Sequence, residues 1–271
     1  MLGLGLGLNK IRKRGGADPF EPEYQAVLDY NTTQGNMLPS DTQQAKENQL
    51  VKDLKDADIW NRLDVFGIVP TDGDAAYALT CFKRLITMDA VNSPTHVPLQ
   101  GFTGDAASAH IRTGFVPSTD GVNYSLDSAS YGFYAFTQQT SDGFEIGCFD
   151  RTQAQNTGAN MAAYRNSSIN VVGPNDNSQQ TIAIGDGTGL HHADRDASNS
   201  RNTIKNGNIE ASYSNSSILL PTIQFYTLGR NLDGSLVQPV DNNVGLIFGG
   251  ASLLDKRTEF NTIIQDYLNS L

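Results

Sequence analysis

The densest group of side chains able to hold a metal or move a proton is His191-His192-Ala193-Asp194-Arg195-Asp196. Neighbouring histidines point to opposite faces of a strand and diverge on a helix, so His191 and His192 make a poor pair for one ion. His192 with Asp194, or His192 with Asp196, falls on a common face, but no third ligand stands at a known spacing. The expectation is therefore a surface cluster at a loop tip or a subunit contact. Asp72 and Asp74, within Thr71-Asp-Gly-Asp74, have the alternate spacing of a calcium loop. The further ligands and the closing Glu of such a loop are missing, which favours a turn that caps a short helix from Ala75 to Leu85.

Glycosidic hydrolysis needs two carboxylates facing one bond. Glu-x-Asp-x-Glu on a strand would set its acids on a common face; the nearest stretch, Glu145-Ile-Gly147-Cys-Phe149, keeps one of the three. No Ser-His-Asp or Cys-His context such as a nucleophile elbow occurs, and no phosphate-binding glycine loop precedes a helix. The expectation is a protein that is not an enzyme and takes no cofactor or metal. Tyr124, Tyr131, Tyr134, Tyr164 and Tyr213 offer rings on which a sugar can stack, with packing in the core or at an edge as the default. Asn31, Asn166 and Asn215 head glycosylation-type triplets of the kind chance supplies in a chain rich in Asn, Ser and Thr.

The elements that would position these residues are mostly strands. With 26 Gly in 271 residues and 18% charged side chains, the chain leans towards β-structure with many turns. Between Gly101 and Tyr134, Ala107, Ala109 and Ile111 alternate with polar residues up to Gly114 and Pro117, and Tyr131, Phe133 and Ala135 resume the period of two. Further short strands are expected at 144–149, 161–164, 168–172, 180–184, 209–213, 217–228 and 243–248, with 185–208 a long exposed loop or a pair of edge strands. Two helices stand out. Ser40 with Gln43 begins one whose face carries Leu50, Leu54 and Ala57; the other carries Phe260, Ile263, Ile264, Tyr267 and Leu268 at spacings of three and four.

At the start, Leu2, Leu4, Leu6 and Leu8 alternate with glycine and are followed by Lys10, Arg12, Lys13 and Arg14. Extended, this arm puts every Leu on one face, suited to a sheet edge or an apolar groove of another subunit. Its charges follow the apolar part, and no small-residue cleavage site appears, so the arm is expected to stay uncleaved. The net charge is -10 although the first sixteen residues carry four cations and no acid, so the body is acidic and no specific nucleic-acid partner is expected. Cys81 and Cys148 are expected as buried free thiols, in keeping with assembly in a reducing cytosol. The expected division is an extended anchoring arm and linker over 1–37, a helical attachment region over 38–95, and a β-sandwich with its C-terminal helix over 96–271.

Residues 56–271 resemble a group of phage virion proteins with a concanavalin A-like (laminin-G-like) sandwich. The resemblance is carried by Asp58-Ile-Trp60 with Leu63-Asp-Val-Phe66, by Asp72 to Leu79, and by Gly101-Phe-Thr-Gly104 through Ile111-Arg-Thr-Gly-Phe115. Pro117-Ser-Thr-Asp120 with Asn123-Tyr124, Ser128-Ala-Ser-Tyr131, and Phe248-Gly-Gly-Ala-Ser-Leu253 complete it. It covers about four-fifths of the chain, and its motifs are structural. It implies a mainly β fold: a jelly-roll sandwich preceded by a helical region and followed by a C-terminal helix. The role implied is that of a capsid-decorating, spike, fibre or tail component, assembled in the bacterial host cytoplasm as a homo-oligomer. The arm (Leu2, Leu4, Leu6, Leu8, Lys10, Arg12, Lys13, Arg14) would bind other virion proteins, and a host surface glycan is the candidate ligand of the sandwich. Retaining glucanases with a related sandwich carry the Glu-x-Asp-x-Glu that this chain lacks. The rival expectation is a glycan-degrading depolymerase or a soluble lectin.

Overall fold

The computed structural model describes residues 20–68 and 70–271; the arm residues Leu2, Leu4, Leu6, Leu8, Lys10, Arg12, Lys13 and Arg14 lie outside them. The chain begins with α1 (Pro22–Gln34) and α2 (Asp41–Asp56), then β1 (Leu63–Ile68) and a helical turn, α3 (Ala75–Ala78). Short strands follow: β2 (Thr80–Cys81), β3 (Ile86–Thr87), β4 (Asp89–Val91), β5 (Thr95–Val97), β6 (Gly101–Thr103) and β7 (His110–Arg112). After the one-turn α4 (Pro117–Asp120) come β8 (Ala129–Ala135), β9 (Ile146–Asp150), β10 (Thr157–Arg165), β11 (Ser168–Asp176) and β12 (Gln179–Ala183). The chain ends with β13 (Gly189–Ala197), β14 (Ser200–Lys205), β15 (Asn208–Tyr213), β16 (Tyr226–Thr227), β17 (Arg230–Leu232), β18 (Ser235–Val237), β19 (Asn243–Gly250) and α5 (Arg257–Ser270).

Two sheets form the expected sandwich. One runs in the order β15-β14-β13-β8-β19-β1-β2-β3 with β5 and β6 beside β19; the other runs β12-β11-β10-β9-β16-β7-β4 with the β17–β18 hairpin beside β9. Pairing is antiparallel except where β17 runs parallel along β9. Between the sheets lies one apolar core, including Ile111, Tyr131, Phe133, Ile146, Met161, Val171, Phe225 and Ile247. A second core fills the space between the first sheet and the helices, with Leu50, Leu54, Trp60, Leu246, Phe248, Phe260 and Ile264. That sheet is thus covered on both sides, which explains why β19 is buried at every position.

The expected linker at 17–37 contains α1, a thirteen-residue helix. Pro22 in its first turn gives up an N–H that would have no helical partner, and Gly35, at φ 77°, closes the end in the left-handed region. Tyr24, Val27 and Leu28 are buried beneath it. Residues 38–95, expected as a separate helical region, contribute β1–β3 to one sheet and β4 to the other, so the sandwich begins well before residue 96. Ser40 caps α2 by accepting from Gln43 N, as its position suggested. The stretch 217–228 holds just two strand residues, Tyr226 and Thr227.

The largest departure concerns 185–208. Instead of an exposed loop or edge pair, β13 and β14 lie inside the sheet, and β13 pairs from Gly189 to Arg195 with the whole of β8. Its polar side chains are buried because they meet one another. Asp176 at the end of β11 receives Arg195 Nη2 at 3.0 Å and Arg201 Nη1 at 2.8 and 2.9 Å, with both arginines 0–1% exposed. Further Arg195 donors reach the carbonyls of Pro174 (2.7 Å), Ser198 and Asn215 (both 2.9 Å). Glycine at 173 makes room: a Cβ there would stand 1.7 Å from Arg201 Cδ.

Candidate functional site

The sequence-expected residues disperse. His191 faces the inter-sheet core, stacked on Phe133 at 5.4 Å, while His192 turns to the helical side against Phe248. His192 Nε2 lies 3.1 Å from Asp194 Oδ2, and Asp194 also accepts from Ser252 Oγ (2.6 Å) and Leu253 N (2.7 Å). The pair therefore anchors the loop before α5 and holds no open ligand position. Asp74 caps α3 through Tyr77 N (2.8 Å) and accepts from Met37 N (2.9 Å), while Asp72 accepts from Ser40 N (2.9 Å): the capping turn that was expected. Among the described residues no group of three or more His, Cys, Asp or Glu could hold a metal ion. Cys81 and Cys148 are free and buried.

Glu145, the surviving acid of the hydrolase-like strand, is fully buried. It accepts from Ala163 N (2.8 Å) and Asn242 Nδ2 (3.0 Å), yet burial raises its pKa to about 8. A neutral carboxyl sealed within the sandwich cannot face a sugar beside a second acid. Of the five tyrosines, Tyr124 and Tyr131 are in the core, with their hydroxyls on Asn175 Oδ1 and Val172 O. Tyr134 packs against Phe136, and Tyr213 lies under Arg201.

Tyr164 is different. It stands half-buried at the end of β10, beside a two-residue turn in which Asn166 and Ser167 both have positive φ (51° and 59°). With Gln138, Gln139, Thr140, Ser141 and Asp142 from the β8–β9 connection, this turn encloses a polar groove of about 320 Å³. Three loops from separate parts of the chain fix its walls. Thr140 N (2.9 Å) and Ser141 N (3.2 Å) donate to Asp241 Oδ1, as does Ser141 Oγ (3.1 Å). Burial pushes the Asp241 carboxyl up, but these bonds outweigh it and hold the group below the usual range. Gln139 Nε2 donates to Ser141 O and Gly143 O, locking the turn from within.

The third loop is Gly185–Thr188, where the histidine cluster acquires a role. His191 Nε2 donates to Gly187 O at 3.0 Å, and Gly187 N donates to Gln138 Oε1 at 3.1 Å. A Cβ on Gly187 would lie 2.4 Å from Tyr164 Cβ, so only glycine lets the loop close on the ring. Burial first, then the charge of Lys205, lowers the His191 pKa to about 4, so the imidazole is neutral at physiological pH. His191 is therefore a positioning residue for Tyr164 and Gln138. Sequence reasoning listed Tyr164 among five equals; what sets it apart is its place two residues before the Asn166-Ser167 turn.

On the groove's flank, Arg165 forks onto Asp142, with Nη2 to Oδ2 at 3.1 Å, and lies 5.3 Å from the centre of the Phe144 ring. The Arg165 bond holds the Asp142 carboxyl below its usual range. The exposed Asn166 side chain forms no hydrogen bond with the described residues. The site thus offers an aromatic side, a carboxylate and several carboxamides around a concavity. Such a set can receive a flat apolar ring face and hydrogen-bond the hydroxyls at its rim.

No protein-family model matches the chain, and no curated protein matches it. Solved structures do. A mutant of Trypanosoma rangeli sialidase displaying trans-sialidase activity superposes with a TM-score of 0.55 at 13% identity, covering 82% of this chain and 39% of that one. The Trypanosoma rangeli sialidase in complex with sialic acid gives 0.52 at 13%, with the same coverage. Domain 4 of AbnA, a GH43 extracellular arabinanase from Geobacillus stearothermophilus, gives 0.41 at 13%, covering 65% of this chain and 82% of that domain, too loose a likeness to carry an argument. The chain spans about two-fifths of the length of the sialidases it matches, and at this identity the likeness shows the fold alone. It nevertheless corrects one expectation, that the chain is not an enzyme. The sandwich occurs within solved sialidases, which are enzymes, so two missing acids on one strand do not separate this chain from glycan-active proteins.

Proposed function

We propose that the chain is a carbohydrate-binding β-sandwich whose saccharide site is the groove between the 138–142 and 164–167 turns. The observation that carries this reading is the half-buried Tyr164 ring, clamped by Gly187 and edged by Gln138, Asp142 and Asn166 in one concavity. Its volume of about 320 Å³ falls at the lower end of small-ligand sites, roughly 300–1,000 Å³. A sialidase sharing the sandwich is solved with sialic acid, which supports a saccharide as the ligand class. Binding of the full chain to a glycan array, followed by calorimetry on the strongest binder, tests the proposal. Tyr164→Ala should weaken binding by about tenfold or more, as loss of an aromatic anchor does. Unchanged affinity in Y164A would remove the groove from consideration. The same incubations, assayed for new reducing ends, read whether the bound glycan is also cleaved.

The setting we propose is a bacteriophage virion, assembled in the bacterial host cytoplasm, with several copies of the chain presenting the sandwich to host surface glycan. The resemblance over residues 56–271 supports it, as does the arm. Extended, Leu2, Leu4, Leu6 and Leu8 would present an apolar edge, and Lys10, Arg12, Lys13 and Arg14 a cationic rim suited to an acidic neighbour. Deleting residues 1–16 should abolish incorporation of the chain into particles while leaving glycan binding intact. Normal incorporation of the truncated chain would defeat the anchoring role.

A further inference from the structure

Across the Phe144 ring from Arg165, at the groove's flank, lies a cation that meets no anion among the described residues, in a chain whose net charge is -10. Arg230, on β17, is half-buried with its guanidinium 4.5 Å from the centre of the Phe144 ring, the ring that also carries Arg165 at 5.3 Å. Arg165 is satisfied by Asp142 and Arg151 by Asp233, the latter through two contacts of 2.8 Å. The Arg230 side chain makes no hydrogen bond or ion pair with any described residue, and its buried Nε lacks an acceptor. Burial, then the charges of Arg165 and Arg151, lower its pKa, the sign of a cation held near other cations without compensation. Its backbone is well fixed. β17 runs along β9 with Asn231 opposite Cys148, and Asn231 Nδ2 donates to Gln224 O at 2.8 Å while Oδ1 accepts from Gly234 N at 2.7 Å.

We propose that Arg230 is the anion receptor of the saccharide site, and that the ligand is an acidic saccharide bearing a carboxylate. This rests on the groove being the sugar site. A planar guanidinium held 4.5 Å from the centre of an aromatic ring keeps its fork available for two parallel bonds to a carboxylate. One unpaired cation matches one negative charge. Asp142 and Asp233, which neutralise the flanking arginines, repel ligands of higher charge, so a sugar bearing a single carboxylate suits the cluster better than a multiply sulfated or phosphorylated chain.

Calorimetry on the full chain, with a trisaccharide of two galactose residues and one galacturonic acid and the neutral galactose trisaccharide as probes, separates the two layers of the argument. The acidic probe should bind about tenfold more tightly, the worth of one good charged contact. Arg230→Gln should erase that advantage and leave the neutral probe unchanged, and Arg230→Lys should recover part of it. The Arg230 side chain forms no hydrogen bond, so a melting curve close to the wild type's confirms the variants as folded. Equal affinity for both probes, or an unaffected R230Q, overturns the assignment of Arg230 while loss of neutral binding in Y164A upholds the groove. Indifference of both probes to Y164A, or no binding of either, overturns both. Tighter binding of a sulfated trisaccharide than of the galacturonate would refute the carboxylate.

Discussion

Asp176 and Glu47 are both taken out of water, and their surroundings treat them in opposite ways. Asp176, between the sheets, lies between two guanidiniums, those of Arg195 and Arg201. Glu47, on α2 in the helical layer, meets no cation: Tyr24 Oη (3.0 Å) and Tyr77 Oη (2.6 Å) donate to Oε2, and Gln43 Nε2 (3.1 Å) donates to Oε1. Gln43 also donates to Tyr267 Oη on α5, which itself donates to Pro70 O. Asp176 is met by full charges, although burial still raises its pKa, and it needs both partners. The helical layer surrounds its acid with neutral donors, so the proton remains exchangeable across the neutral range.

The comparison is broken most forcefully at Asp176. Asp176→Asn keeps the shape and removes the charge, leaving two buried guanidiniums with no anion. Breaking a buried pair from one side costs about 3–5 kcal/mol. The melting temperature should drop on the order of 10 °C for a chain of this size. Arg201 Nε and Nη2 already lack acceptors, so the variant has little with which to compensate. A shift of about 2 °C or less in thermal unfolding would show that the triad is not what holds β11 to β13 and β14.

The same triad marks where the sequence could be read and where it could not. The period of two in Tyr131, Phe133 and Ala135 and the face of Phe260, Ile263, Ile264 and Tyr267 reported β8 and α5 because their burial is apolar and local. Asp194, Arg195 and Arg201 look like loop residues, since a window of sequence shows their charges and not the partners that neutralise them. Asp176 is 19 residues from Arg195 and 25 from Arg201. The candidate site was hidden for a related reason. Gln138, Tyr164 and Gly187 come from the β8–β9 connection, the end of β10 and the β12–β13 connection and meet through Gly187, so no motif at any fixed spacing could announce them. Tyr164 was visible as a residue type and not as a site. Likewise α1 was legible only as one or two helical turns around Tyr24, Val27 and Leu28 within a linker, because Pro22 and Gly35 punctuate a linker as readily as they bound a helix.

A subtler change sharpens the contrast at Glu47. Burial raises its pKa to about 7, against the hydrogen bonds from Tyr77, Thr71, Gln43 and Tyr24, from an ordinary value of 4.5. A carboxyl whose pKa is higher folded than unfolded contributes stability that is complete below pH 4.5 and is lost as pH rises through 7. At about 1.4 kcal/mol per unit, the loss approaches 3 kcal/mol by neutral pH. Glutamine at position 47 keeps the size, carries an acceptor for the tyrosines, and cannot ionise. Glu47→Gln should therefore change stability little at pH 4.5 and flatten its decline between pH 4.5 and 7. The slope that remains combines Glu145, whose pKa is raised to about 8, with His191, whose pKa is lowered to about 4 and which adds stability as pH rises towards 6.5. Asp105 and Asp150, both lowered to about 2, act in the other direction, adding stability that is lost only as pH falls below 3.8. Urea unfolding of both proteins at several pH values from 4.5 to 8 measures the difference directly. Parallel pH profiles for wild type and E47Q would mean that Glu47 holds the same charge in the folded and unfolded chain, and the distinction between the two layers would then rest on Asp176 alone.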